Sequence, residues 1–565
     1  MVDSRLIKHK DDKLTLNEKT IKLFQMIYHE ENNEDKINID APKIKVSEFV
    51  SKMALYYEKI RNSFDYTENH LLQKNAIKRI LKRQIIIEGA IKIKEDKSEK
   101  ISKYLFLELI RAGYLENNKI PEEEIENISF IIEKFIKLRN TTISEINISS
   151  HIKKGKFFKA NEALKKQNKL SNWFIGLLAC EIEEKISKNN IKNTIINNMY
   201  SVFKSNILLS KKNTYKNDLN VQLYLSIFKH YMKFDADMLN FVLFKYFNSK
   251  WQDANTKDLE IIAKNIDSLK DAINFQLYHP LSKQLNKIAM RYAVFFSILE
   301  ELIIEDPKKA YENIKDVKIF SKLIEKITNL RYKKIKKQLV KSAIKSIIYI
   351  LLTKSIFVIL LEAPAIKFLG EIPDLSSLII NITFPGLILL FVAISTKIPE
   401  IGNTKKIIKG VCEITFKERK KDPFILKEPE IRNKFMNLSF GLIYFFTYFI
   451  SFGIIINLLN KINFHWISTV IFLFFLAFVS FFSIKIKKDV KEITVLDSKD
   501  TIFKFIINFL FVPIVVVGKY LSDSFSKFSP FVFVFDIIIE PPFKAFVHLI
   551  EEWNKYMKEK KAEVD

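Results

Sequence analysis

RYKKIKKQLVKSAIKSIIYILLTK, residues 331–354, changes character along its length. The first part carries Arg331, Lys333, Lys334, Lys336, Lys337, Lys341 and Lys345 with no acid among them. After Lys345 the run is apolar, interrupted only by Lys354. Upstream lies charged, glycine-poor sequence with helical periodicity; downstream come apolar runs long enough to cross a bilayer. The expectation is an all-α chain. A large irregular helical cytosolic domain, 1–335, precedes a polytopic α-helical membrane domain.

Only Gly89, Gly113, Gly155 and Gly176 precede Gly370. A sheet-rich domain needs turn residues roughly every 8–12 positions, so the first part reads as helical. Asp65 with Glu68 makes a capping box ahead of Leu72, Ala76, Ile77, Ile80 and Leu81, and Gly89 is placed for a left-handed C′. Asp96 with Glu99 opens the next helix and Gly113 ends it. Pro121 at N1, followed by Glu122, Glu123 and Glu124, opens a third, because acids favour the positive end of the helix dipole. Asp306–Pro307 opens a later one. Further helical patterns cover about 17–30, 47–63, 172–187, 220–247, 258–275 and 281–304; stretches 30–41, 140–157 and 188–195 read as loops or linkers. The helix starts follow no fixed period, so a regular solenoid is not supported.

Within 336–500, spans are expected at about 343–361, 375–396, 438–459 and 466–484. Pro385 and Gly386 interrupt the second, which bundles tolerate when neighbours satisfy the freed backbone groups. Residues 501–565 read as an interfacial or re-entrant amphipathic segment with a cytosolic tail, because 505–518 offers only 14 uncharged positions. The loop 397–434 holds eleven Lys/Arg, and 485–504 holds six. The positive-inside rule then gives four spans in the cytoplasmic (plasma) membrane with both termini cytoplasmic. The start of the chain shows no apolar secretory h-region.

The net charge is +26, of which +18 precedes residue 341. The expected partners are the bilayer and its anionic inner leaflet, worth roughly 1 kcal/mol per juxtamembrane cation. An unidentified protein partner of the cytosolic domain is also expected, and nucleic acid is the disfavoured rival.

At 331–354, at FDIIIEPPFKAFVHLIEEW (535–553) and at RAGYLENNKIPE (111–122) the chain resembles a group of long, uncharacterised multi-spanning membrane proteins of reduced-genome bacteria with a large helical cytosolic N-terminal part. The resemblance implies a membrane location and nothing about catalysis.

The sequence contains no GK[ST], HExxH, CxxC or GxSxG motif, and no catalytic residue, cofactor or metal is assigned. His230 and His279 read as surface or boundary residues, and Cys180 as a buried core thiol. Lys74, Lys78 and Lys82, beside Arg79 and Arg83, read as a solvated face, with anionic lipid as the next reading. The likeness of ILLEAPAIKF to IIIEPPFKAF reflects a shared exit from lipid through Glu and Pro.

Lys354 is the sharpest candidate. It lies nine residues beyond Lys345, about 13–14 Å along a helix, near mid-bilayer. The functional reading is an ion-path or coupling residue paired with Asp536 or Glu540, with Glu362 as the fallback. The plain reading is snorkelling toward the headgroups. Three functions are weighed. A membrane protein whose helical part binds or scaffolds a partner comes first, a transporter or channel using Lys354 second, and a membrane-bound enzyme last.

Overall fold

The computed structural model describes residues 17–563 apart from 34–41, 65–70, 88–97, 153–157, 188–189, 211–213, 306, 315, 370–374, 400, 417–422, 429–432, 463, 496–501 and 528–538. The helices run in order as α1 (Glu18–Asn33), α2 (Glu48–Phe64), α3 (Leu72–Lys82), α4 (Ser98–Arg111), α5 (Glu123–Ile152), α6 (Phe158–Ile186) and α7 (Asn190–Asn206). There follow α8 (Leu219–His230), α9 (Ala236–Phe247), α10 (Thr256–Lys264), α11 (Ile266–Leu277), α12 (Ser282–Glu305), α13 (Pro307–Asn313) and α14 (Val317–Phe357). The rest are α15 (Ala363–Phe368), α16 (Leu375–Ser395), α17 (Ile401–Phe416), α18 (Lys434–Asn460), α19 (Trp466–Ile486), α20 (Lys488–Ile493), α21 (Ile502–Lys527) and α22 (Glu540–Ala562). Among the described residues the sheet is one parallel pair, β1 (Ile207–Leu209) on β2 (Phe424–Leu426). The chain is all-α.

It folds into two compact units. Unit 1 comprises 1–28, 205–212 and 287–529; unit 2 comprises 29–204, 213–286 and 530–565.

Unit 2 is built around an apolar core running from Ile44 to Ile273, drawn from α3 to α6 and α8 to α11. Trp251 is fully buried in it, edge-on to Phe135 and Phe244, with its indole N–H donating to Glu181 at 2.7 Å. Gly113 ends α4 at φ +76°, and the Tyr114 N–H returns to the Leu109 carbonyl. Pro121 pairs with Lys43 instead of standing at N1, and α5 opens two residues later on Glu123 and Glu124. Asp65, Glu68, Gly89 and Asp96 lie outside the described residues.

Residues 140–152, read as part of a linker, continue α5. Thr141 and Thr142 return their hydroxyls to the Lys137 and Leu138 carbonyls, so these polar side chains are satisfied within the helix. The pattern 220–247 divides into α8 and α9 at Lys233, φ 55°, and Asp235 caps α9 by accepting from the Met238 N–H. His279 is 1% exposed and not a surface residue; burial lowers its pKa, with Asp218 opposing.

The basic stripe on α3 is largely drawn into ion pairs and not a solvated or lipid-facing surface, although Lys82 is exposed. Lys74 is 1% exposed and bonds Asp235 and Asp237 on α9; Lys78 also bonds Asp237. Arg79 Nη2 donates to both carboxylate oxygens of Glu58 at 2.9 Å. The sequence hid this because the acids lie on α2 and about 160 residues downstream.

Among the described residues, unit 1 has five helical segments long and apolar enough to cross a membrane: Val317–Phe368, Leu378–Ser395, Lys434–Asn460, Trp466–Ile493 and Phe505–Ser522. This identifies an integral membrane protein. α14 packs on α16, α16 on α19, α19 on α21 and α21 on α18. Their outward faces are apolar and exposed, as at Phe435, Leu438, Phe446 and Phe449. Gly518 lies so close to α19 that a Cβ there would fall 1.8 Å from the Ala477 carbonyl oxygen. α16 runs unbroken through Pro385. α21 is a single helix through Pro513, longer than the uncharged stretch 505–518 suggested.

Candidate functional site: a buried charge network in the apolar bundle

Three helical elements converge on Lys354. α14 carries it, fully buried, one turn before the helix changes pitch. Val358–Glu362 is a π-helical turn, followed by Pro364 at the start of α15. Proline lacks an N–H and clashes with the carbonyl four residues back. A wider turn relieves that clash, and such turns recur at functional sites. Here it sets Glu362, also fully buried, on the inner side of the bundle.

α16 supplies the link. Lys354 Nζ donates to Asn381 Oδ1 at 3.1 Å, and Asn381 Nδ2 donates to Glu362 Oε1 at 2.6 Å. The same amide donates to the Ser468 carbonyl on α19 at 3.3 Å. Lys354 Nζ also stands 4.2 Å from the centroid of the Phe475 ring. The ammonium and carboxylate are thus joined through one amide. Both charges are buried yet mutually compensated, the condition under which ions persist away from water.

The network is not saturated. Among the described residues, Glu362 Oε2 and Ser468 Oγ are buried without a hydrogen-bond partner. Pro385, four residues after Asn381, also withholds the N–H that would ordinarily bond the Asn381 carbonyl. Oxygen acceptors therefore outnumber donors at this point.

Lys354 is buried among protein groups, and Glu362, the fallback, is its indirect counter-ion. The eight-residue offset is spanned by Asn381, a neutral residue on another helix, which gave no charge signal in the sequence. Glu540 belongs to unit 2, where Arg83 holds it at 2.7 Å and Arg79 approaches to 3.9 Å. Asp536 lies outside the described residues.

The basic cluster divides. Arg331 bonds Ser297 at 2.7 Å and lies 3.8 Å from Glu301. Lys333, Lys334, Lys336, Lys337, Lys341 and Lys345 are exposed on the same unbroken helix that carries Lys354.

Unit 2 has a second buried cluster. Burial opposes the charge on Lys74, but Asp235 and Asp237 outweigh it and raise its pKa. Burial likewise opposes Asp237, but Lys78 and Lys74 hold its pKa low. Burial pushes the Cys180 thiol far up, with Lys74 opposing, so Cys180 is a core thiol as expected. The lysines and aspartates clamp α3 to α9. Among the described residues no three His, Cys, Asp or Glu side chains are grouped to hold a metal.

No family model, curated protein or solved structure matches this chain.

Proposed function

We propose that this protein works at the cytoplasmic face of the plasma membrane, with helical unit 2 as a binding or scaffolding module and unit 1 as its anchor. The observation that carries the reading is the contrast between the units. All five candidate spans fall in unit 1, whereas unit 2 has an extensive apolar core of its own. Six exposed lysines on α14 supply anionic-leaflet contacts of roughly 1 kcal/mol each where they lie near the headgroups. The cationic loops support a cytoplasmic location for this side.

Chain parity supports both termini on one side. Arg83 and Glu540 meet within unit 2, and Tyr57 stacks on Phe543 with ring centroids 4.8 Å apart. These contacts support one side for Tyr57, Arg83, Glu540 and Phe543, hence an even number of crossings between them. The five candidates among the described residues are an odd number. An odd count agrees with this if α21 enters the bundle without completing a crossing.

Unit 2 exposes Tyr278, Tyr56 and Tyr246 at 84, 68 and 58%. A photo-crosslinker at each site, in the full-length protein in native membranes, is expected to yield a discrete protein adduct from at least one. Only diffuse or lipid adducts at all three would remove the binding-module reading.

A second reading, ion-coupled transport, is favoured by the Lys354–Asn381–Glu362 network alone. Intramembrane ionisable groups mark ion and proton paths.

A further inference from the structure

We infer that the exposed apolar face of α22 is a membrane-contacting surface of unit 2, lying among the headgroups and upper acyl chains of the bilayer. The inference goes beyond the protein partner proposed above and concerns the contact of unit 2 itself with lipid.

α22 is seated on unit 2 along one stripe. Glu540, held by Arg83, Phe543, stacked on Tyr57, and Val547, buried, stand at i, i+3 and i+7. That stripe fixes the rotation of the helix. About 120° round it, Phe546, Leu549, Trp553, Tyr556 and Met557 recur at i, i+3, i+7, i+10 and i+11. Each is about half to two-thirds exposed. Five large apolar side chains on one stripe about 16 Å long form a continuous patch, of the kind that marks a contact surface.

Lipid is the occupant that the chain delivers. α21, which contains the candidate span Phe505–Ser522, ends at Lys527, and α22 begins at Glu540. The intervening sequence, 528–539, reaches at most about 45 Å, roughly one bilayer thickness with its headgroups. α22 is thus tethered to a membrane-embedded helix, whereas a soluble partner or a second copy has to be recruited. Its side chains suit that place. Trp and Tyr settle where one end of the ring is apolar and the other wet, and Lys560 stands 6.0 Å from the centroid of the Tyr556 ring. A helix so divided lies in the plane of the interface, with its apolar face about 5–10 Å deep.

Charge decides which force holds it. α22 carries Lys544, Lys555, Lys558, Lys560 and Lys561 against Glu540, Glu551, Glu552 and Glu559, so it is nearly neutral, unlike the lysine row of α14. Burial of the apolar face, and not attraction to anionic headgroups, drives the contact. Neutral lipid therefore suffices.

The test places an environment-sensitive fluorescent amino acid at Leu549, Trp553 or Glu559 of the full-length protein in phosphatidylcholine nanodiscs. Glu559 is exposed and lies about 120° round the helix from Trp553. At Leu549 and Trp553 the emission should shift to the blue, be lost when the acyl chains carry bromine, and resist aqueous iodide, in low and high salt alike. At Glu559 iodide should quench and bromine should not. All three side chains are exposed, so the replacements leave the seat of α22 intact. Iodide quenching at Leu549 and Trp553 overturns the inference, because the face is then in water. Protection from both quenchers overturns it too, because a protein or a second copy then covers the face. Bromine quenching that requires added anionic lipid overturns the apolar account. Cross-linking from Tyr278 and Tyr246 tests the binding-module reading separately, so either can fail alone.

Discussion

Lys354 and Glu362 share one amide: Asn381 accepts from the first at 3.1 Å and donates to the second at 2.6 Å. Two charges that would each be untenable alone are held in balance by a neutral residue on another helix. Their energetic coupling is therefore the first quantity to measure. Lys354→Leu should destabilise the protein in detergent by about 3 kcal/mol, because it strands the Glu362 carboxylate. Lys354→Leu with Glu362→Leu should be milder than Lys354→Leu alone. Denaturant titration in micelles checks this, and additive losses would show that the charges are uncoupled.

The α19–α21 contact depends on a missing side chain. Gly518→Ala should prevent α21 from docking, because the new methyl would overlap the Ala477 carbonyl. Gly453→Ala on α18 is the matched control, with nothing within 4 Å of its would-be Cβ. It should be neutral or gain up to about 1 kcal/mol from helix propensity. Cysteine crosslinking between α19 and α21 reads the difference.

The charge clamp between α3 and α9 sets a pH window for unit 2. Asp237 has a lowered folded pKa, so its contribution is present above its ordinary value near 3.8 and fades as pH falls through the folded value. Lys74 has a raised folded pKa, so its contribution is complete below about 10.5 and fades as pH rises through the folded value. Stability should be flat between these limits. Lys78→Ala should move the acid unfolding midpoint upward, seen as loss of helical circular dichroism, and leave the alkaline midpoint nearly unchanged. An unmoved acid midpoint would show that Lys78 does not stabilise the Asp237 carboxylate.

Membrane sidedness follows from the loops. Membrane-impermeant thiol labelling from outside should reach a cysteine at Lys461, in the α18–α19 connection. It should miss one at Lys405 or Lys561. The reverse pattern would invert the topology, and labelling at Lys561 alone among the protected pair would show an odd number of crossings.

Elements whose signal is local were readable from the sequence. Long apolar runs located α16, α18 and α19, and Gly113 marked the end of α4. The lysine in the first span stood out because charge in hydrocarbon is rare. What escaped were relationships between distant residues. Of the stripe Lys74, Lys78, Lys82, Arg79 and Arg83, Lys82 is exposed as read, but the other four looked solvated because their partners Asp235, Asp237, Glu58, Glu108 and Glu540 lie elsewhere in the chain. Asn381 escaped for a different reason. An uncharged amide in an apolar run carries no sequence signal, although the site is organised around it. The π-turn was half visible: Pro364 announced a disturbance but not its direction.

The Arg83–Glu540 pair also bears on how the chain is made. The two residues are 457 positions apart, with all five candidate spans between them. At ordinary translation speeds residue 540 emerges roughly 25–90 s after residue 83. Glu540 is nearly inaccessible to solvent once seated. Until then the cluster around Arg83 lacks one of its counter-charges, and unit 2 waits with that seat vacant. Its final closure is thus timed by passage of the intervening spans through the insertion machinery. A nascent chain stalled within those spans would carry Arg83 paired with Glu108 but without its second carboxylate.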